Sequence, residues 1–149
     1  MIQPRNVGQA LKKRSIFVPI AALAAGVDAA DIVLARCPCA LELVNISIIP
    51  QGDDAGIDAA NTSAWLFEVG STALITAKTY SDTVAFPDAA VVEAFSLVEA
   101  AKKRAEGELI TYSITNGTTA ATPACMAEIE YIIIDEAASD TIHPTSYAT

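Results

Sequence analysis

The chain has 149 residues, of which 52% are hydrophobic and 18% charged, and its formal net charge is −9. A chain of this length corresponds to one domain that buries a core without disulfide support. Its acidity argues against binding to DNA or RNA, and its low charged fraction favours a protein that assembles with others, because a monomer would expose much apolar surface.

Basic residues are concentrated near the N terminus. Of the nine Lys and Arg residues, four (Arg5, Lys12, Lys13 and Arg14) lie within residues 1–14, which contain no acid, and the other five share the rest of the chain with all eighteen acids. We expect residues 1–14 to form a basic arm whose four bases bind a partner protein, such as the acidic surface of a neighbouring copy. The alternative is a short basic tail that is only solvated.

The stretch from Leu11 to Ile32 also has the order of a secretory signal peptide, with bases followed by an apolar run from Ile16 to Val27. Pro19 interrupts that run, and Asp28 and Asp31 follow it closely. We therefore expect a retained segment and no cleaved leader. No apolar run is long enough for a membrane span, so no membrane partner is expected.

Period-two alternation of apolar residues dominates the rest of the chain. ELITYSIT (Glu108–Thr115) and MAEIEYIIID (Met126–Asp135) each predict a strand with one buried face, and the turn-rich NGTTAATPA between them predicts an antiparallel pair. SAWLFEVGSTALITAKTY predicts a hairpin that turns at Gly70 and Ser71, with Trp65 in the core.

Other strands are less regular. In ALELVNISIIP the alternation changes phase near Leu43 and Val44, which predicts a β-bulge. Three further segments predict strands: Arg14–Ile20, Asp31–Arg36 and Thr83–Phe86.

One segment favours a helix. Ser96 and Glu99 have the spacing of a capping box, and Gly107 fits the position just past a helix end, so a short helix is predicted from about Leu97 to Ala105. Val91–Phe95 then remains as a strand.

These elements predict a mainly β protein, an antiparallel β-sandwich of jelly-roll type with one short helix and extended N- and C-terminal arms. The expected division is an arm at residues 1–14, a sandwich domain at 15–136 and a tail at 137–149.

Catalytic constellations are scarce. His143 is the single histidine, and no Gly-rich phosphate loop is present. Glu128 and Glu130 share a strand face, where paired acids are usually just solvated. We expect no enzyme activity; an enzyme assembled between subunits would need His143 of one copy to meet acids of another.

Metal ligands are equally scarce. Cys37 and Cys39 flank Pro38, and Cys125 lies far away; we expect them at a strand end as small buried side chains, with a disulfide as the alternative. The loop PQGDDAGIDAANTS offers carboxylates for calcium, but its spacing differs from an EF-hand, and such residues are typical of exposed loops. No metal and no cofactor are expected.

The order of segments carries a resemblance to a known group of proteins. NISIIPQGDDAGIDAANTSAWLFEVG, STALITAKTY, the step into RAEGELITYSITNG and the final MAEIEYIII resemble the small β-sandwich head proteins of tailed bacteriophages, the capsid decoration or cement proteins, from roughly Asp31 to Ile134. The resemblance implies a homotrimer on the outer capsid surface that contacts the major capsid protein through an extended arm, here residues 1–14.

Together with this resemblance, the sequence favours a non-enzymatic structural virion protein that decorates or cements a bacteriophage capsid through subunit contacts. The alternative is a β-sandwich ligand-binding module, for a host-surface glycan or receptor, on a virion or cell surface. That alternative needs an exposed aromatic platform, for which Trp65 is a poor candidate because its strand pattern is apolar.

Overall fold

The computed structural model describes residues 12–134. Arg5, the rest of residues 1–11, His143 and the tail lie outside the described residues. The strands are β1 (Lys13–Ile20), β2 (Ala29–Arg36), β3 (Leu41–Pro50), β4 (Ser63–Val69), β5 (Thr72–Ala73), β6 (Lys78–Tyr80), β7 (Glu93–Ala94), β8 (Lys103–Arg104), β9 (Leu109–Asn116) and β10 (Cys125–Ile133).

The strands form two five-stranded antiparallel sheets, which confirms the predicted β-sandwich. In the first sheet the order is β1-β10-β3, with the short β7 and β8 both paired to β3. In the second sheet the order is β2-β9-β4, with β5 and β6 both paired to β4. Because β1 and β2 each pair on one side only, they are edge strands of the two sheets.

The alternation read from the sequence is the alternation of burial. Ile110, Tyr112 and Ile114 of β9 point into the core, while Glu128 and Glu130 of β10 lie on its more exposed face. In β3 the pairing passes from Asn45 opposite Glu130 directly to Leu43 opposite Tyr131, so Val44 is the extra residue of the predicted bulge.

Aromatic side chains fill the space between the sheets. Trp65 is 1% exposed, and its ring lies 5.7 Å from that of Phe86 and 6.4 Å from that of Tyr80, centroid to centroid. These separations are typical of favourable aromatic pairs. Burial of Trp65, Phe67 and Tyr80 is therefore a main source of the stability of the sandwich.

The predicted helix from Leu97 to Ala105 is wrong. Only Glu99–Ala101 forms a single 3₁₀ turn, and no side chain caps it. The reason is a competing contact, since the N–H of Val98 donates to the carbonyl of Leu74 at 2.9 Å and the carbonyl of Ser96 accepts from Thr76 at 2.8 Å. The segment before the turn is thereby held as extended chain rather than released to start a helix.

Two pairing predictions also need correction. β9 and β10 do not pair: each is a central strand of a different sheet, and the connector between them crosses from one sheet to the other. The hairpin at Gly70 forms as predicted, but its return strand is broken into β5 and β6. Thr83–Phe86 forms no ladder, although Phe86 is buried.

The loops at one end of the sandwich are packed tightly against each other. Bridges join Leu23 to Thr122 and Ala55 to Ala121. Gly56 has φ +66°, and a Cβ atom there would overlap the carbonyl oxygen of Thr119. We call this the loop end, formed by residues 21–28, 51–62, 81–90 and 117–124.

Gly70 and Gly56 have similar φ angles, so replacing each by alanine separates the free-energy cost of steric overlap from that of the left-handed backbone conformation. Gly70 has φ +59°, and a Cβ atom added there would have open space around it, so Gly70→Ala should cost only about 1 kcal/mol, from the left-handed conformation. Gly56→Ala carries the same cost plus the steric overlap, which adds about 1–3 kcal/mol. Urea unfolding of both variants measures the difference, and equal losses of stability would contradict the packing of this end.

Candidate interaction surface

The sandwich is closed by hydrogen bonds on one side only. There, residues 74–76 and 95–98 connect β4 of one sheet to β3 of the other, through bonds that include Phe95 N–H to the Ile46 carbonyl at 2.9 Å and the bridge between Ile75 and Leu97. On the opposite side β1 and β2 contact each other without forming a ladder. We call the surface formed by β1, β2 and the adjoining Val27 the open side.

β1 is a regular edge strand. It pairs with β10 from Lys13 opposite Ile132 to Ile20 opposite Cys125 without a register shift. Ile20 is buried, whereas Phe17 is 58% exposed. An exposed phenyl ring on an unpaired edge is a typical contact point for another chain.

β2 is an irregular edge strand. Its pairing with β9 skips residues twice, between Ala29 and Ile32 and between Val33 and Ala35. Asp31 has φ +48°, an uncommon value for a residue with a side chain, and its N–H donates to Ser113 Oγ at 3.0 Å. Ile32 is 43% and Val33 57% exposed, so this edge also presents apolar side chains to solvent.

Three of the four predicted partner-binding bases lie at the start of β1. Lys12 is exposed and directly precedes β1, and Lys13 and Arg14 are the first two residues of β1. The strand thus includes the last two residues of the expected arm, because Lys13 and Arg14 pair with β10. Arg5 lies outside the described residues.

Aspartates and basic residues are concentrated at opposite ends of the sandwich. The loop end contains six aspartates and no Lys or Arg: Asp28, Asp53, Asp54, Asp58, Asp82 and Asp88. The opposite end, where the 37–40 turn joins β2 to β3, holds seven of the eight described bases: Lys12, Lys13, Arg14, Arg36, Lys102, Lys103 and Arg104. Part of this positive charge is compensated locally, since Lys102 pairs with Glu99 at 2.7 Å and Arg104 with Glu108 at 3.8 Å.

The aspartate-rich loop is organised by its own hydrogen bonds. Asp58 Oδ1 accepts from the backbone N–H groups of Asn61 and Ala60, each at 2.8 Å. These bonds lower the pKa of Asp58, so their contribution to stability is present above the ordinary carboxyl pKa and is lost as the pH falls through the lowered one. Among residues 12–134 no three His, Cys, Asp or Glu side chains form a metal-binding group.

Trp65 has a structural role. Its Nε1 donates to Ser63 Oγ at 3.0 Å, and Ser63 Oγ donates to Asn116 Oδ1 at 2.6 Å. Asn116 Nδ2 in turn donates to the carbonyl of Val27, and its backbone N–H donates to Asp28. This network fixes the loop before β2 to the core, and it leaves Trp65 unavailable as a platform for a sugar.

The cysteines lie as expected at a strand end and in the core. The 37–40 turn joins β2 to β3, Cys37 and Cys125 are each 1% exposed, and no disulfide joins any of the three. Burial raises the pKa of Cys37, with nearby Glu108 adding to the shift, and burial raises the pKa of Cys125 to about 12.

The exposed apolar side chains of the open side are not evident as a partner-binding region from the sequence alone. The sequence predicts a strand over Arg14–Ile20, and period two places Phe17 on the same face as Ser15 and Pro19, away from Ile16 and Ile20. That alternation is a signal for an outward Phe17. Ile32 and Val33 carry no comparable signal, because the irregular pairing of β2 breaks the alternation.

The fold is similar to that of a chain in the "Cyanophage Pam1 capsid asymmetric unit", with a TM-score of 0.50 and 10% sequence identity. The alignment covers 82% of this chain and 85% of that chain, so the two are of similar length. No family model matches the sequence, and no curated protein matches it. Within residues 12–134, helices long and apolar enough to cross a bilayer are absent.

Thiol reactivity tests the burial of the three cysteines. Because the thiolate is the reactive form, the buried Cys37 and Cys125, with their raised pKa values, should react slowly with iodoacetamide at neutral pH. Cys39 is only partly buried and should be modified first. Peptide mass spectrometry after timed labelling identifies the order, with urea-unfolded protein as the control in which all three react. Labelling of Cys125 as fast as Cys39 would contradict the structure.

Proposed function

We propose that this protein is a non-enzymatic structural component of a bacteriophage virion that decorates or cements the capsid through subunit contacts. The observation that carries the proposal is the likeness of the whole sandwich to a chain of similar length in a cyanophage capsid. The proposed localisation is the capsid surface, and the proposed partners are further copies of this chain, as a homotrimer, and the major capsid protein.

The surface of the domain supports a role in assembly. Several large hydrophobic side chains are more than one third exposed: Phe17, Val27, Ile32, Val33, Val84, Val91, Val92 and Leu109. Leaving so many apolar groups in water is unfavourable for a free monomer, at roughly 25 cal/mol per Å² of apolar area. Contacts between subunits would remove part of this area from water.

β1 supports the proposed arm. Lys13 and Arg14 are fixed by pairing with β10, so the residues before them start from a defined point at the edge of the sheet. Lys12 at that point is exposed. With Arg5 these residues form the proposed contact to an acidic surface of the shell or of another subunit. The same pairing supports retention of the segment, since cleavage after Val27 would remove β1 from the sheet.

The ligand-binding alternative finds little support in the described residues. A glycan platform needs an exposed aromatic ring beside polar groups. Within residues 12–134 every aromatic side chain except that of Phe17 is buried. Phe17 lies on a sheet edge between Ile16 and Val18, which suits contact with protein better than with a sugar.

Deletion of residues 1–11 tests the arm without touching β1. We expect binding to particles assembled from the major capsid protein of the same genome to weaken at least tenfold, about 1.4 kcal/mol, with an unchanged melting temperature. Binding of the full chain should also fall more steeply with salt than binding of the deletion. Occupancy on the particle is measured by quantitative gel densitometry after sedimentation.

The matched control is Lys103→Gln, which removes an exposed positive charge of the same end but outside the arm. It should bind as the unaltered chain does. Equal occupancy of the full chain and the deletion would overturn the role of the arm, and absence of binding by the full chain would overturn the proposed function.

A further inference from the structure

We propose that the open side is the contact between successive copies of this chain, with β1 of one copy packed against β2 of the next. The inference rests on the proposed assembly function and specifies which surface performs it. When β1 of a copy contacts the next copy and β2 contacts the preceding one, the contact is heterologous, and it closes into a ring when the rotation between copies permits.

The first argument is apolar exposure. Four of the large exposed hydrophobic side chains belong to the open side: Phe17, 58% exposed, Val27, 45%, Ile32, 43%, and Val33, 57%. They divide between the two strands, with Phe17 in β1 and the other three in or just before β2. A contact of β1 with β2 therefore places apolar groups against apolar groups.

Charge supplies the second argument. The start of β1 carries Lys12, Lys13 and Arg14, and residues 12–20 contain no acid. Residues 27–33 carry Asp28 and Asp31 and contain no base. These two segments thus have opposite charge, which favours β1 against this part of β2 and disfavours β1 against β1.

Strand direction is the third argument. β1 is antiparallel to β10, and β10 is antiparallel to β3, so β1 runs in the same direction as β3. The short 37–40 turn reverses the chain between β2 and β3, so β1 and β2 run in opposite directions within one copy. A rotation about an axis parallel to the strands preserves this, so β1 meets the β2 of the next copy antiparallel. In that alignment the basic start of β1 faces the segment around Asp31, and Phe17 faces the residues that precede it, toward Val27.

The contact is one of side chains more than of a continuous ladder. Pro19 has no N–H to donate to β10, so it occupies a position of β1 whose backbone groups face the free edge. Alternate residues of an antiparallel pair face the same way, so the backbone groups of Phe17 and Ser15 also face the free edge. The irregular pairing around Asp31 bends β2 and prevents a matching run of backbone bonds. Packing of Phe17 and pairing of opposite charges are what remain to hold the copies together.

Phe17→Ser tests the apolar half, and Val92→Ser is its control, because Val92 is equally exposed, at 58%, but lies outside the open side. Sedimentation equilibrium should show a trimer for the unaltered chain and for Val92→Ser, and at least tenfold weaker association for Phe17→Ser. Circular dichroism checks that both variants are folded. Equal association of the two variants, or a monomeric unaltered chain at all concentrations, would overturn the proposal.

Lys13→Glu tests the charged half. It should weaken association at low salt, and the difference from the unaltered chain should shrink at about 1 M salt, where the Debye length is about 3 Å. Unchanged association at low salt would contradict the pairing. Particle binding is measured separately. A Phe17-dependent trimer that binds no particle would support this interface and overturn the proposed capsid function. A monomer that binds particles would support the capsid function and overturn this interface.

Discussion

The structure depends on the way in which its two sheets are joined. Residues 74–76 and 95–98 connect β4 to β3 through hydrogen bonds and the bridge between Ile75 and Leu97, and so close one side. The aromatic core around Trp65 is enclosed behind this seam. Nothing equivalent joins β1 to β2, and the two edges of the sandwich are left together on the remaining side.

This one-sided closure links the fold to the proposed assembly role. An edge strand is usually shortened, twisted away or charged, because a free ladder invites other chains. β2 has the irregular pairing and the aspartates of a protected edge, yet Ile32 and Val33 beside them are exposed. β1 has bases at its start and a phenyl ring at its centre. The two edges are thus dissimilar and complementary, which suits a selective contact better than indiscriminate pairing.

Much of the fold follows from local periodicity, because burial of one face dictates alternation. The phase change at Val44 marks a bulge, and alternation assigns the strands around Tyr112 and Tyr131 their correct faces. Partner choice is not local. Nothing in β9 or β10 alone says that each belongs to a different sheet, and the helix signals of Ser96 and Glu99 are outweighed by bonds to residues 74–76, distant in sequence.

The open side, like the fold, is only partly predictable from the sequence. Composition locates the bases of residues 1–14, but whether Lys13 belongs to an arm or a strand depends on its pairing with Ile132, far along the chain. Alternation places Phe17 outward. The exposure of Val33 has no such signal, since it results from an irregular pairing that only the backbone reveals.

The segregation of charge also makes the domain electrically polar along its length. The loop end carries six aspartates without a base, and the other end carries most of the bases, at a separation of several strand residues that exceeds the screening length of physiological salt. Such a molecule experiences a torque in the field of any charged surface. A subunit approaching an anionic surface would be turned with its lysines and arginines foremost before the first atoms touch, so that orientation precedes docking.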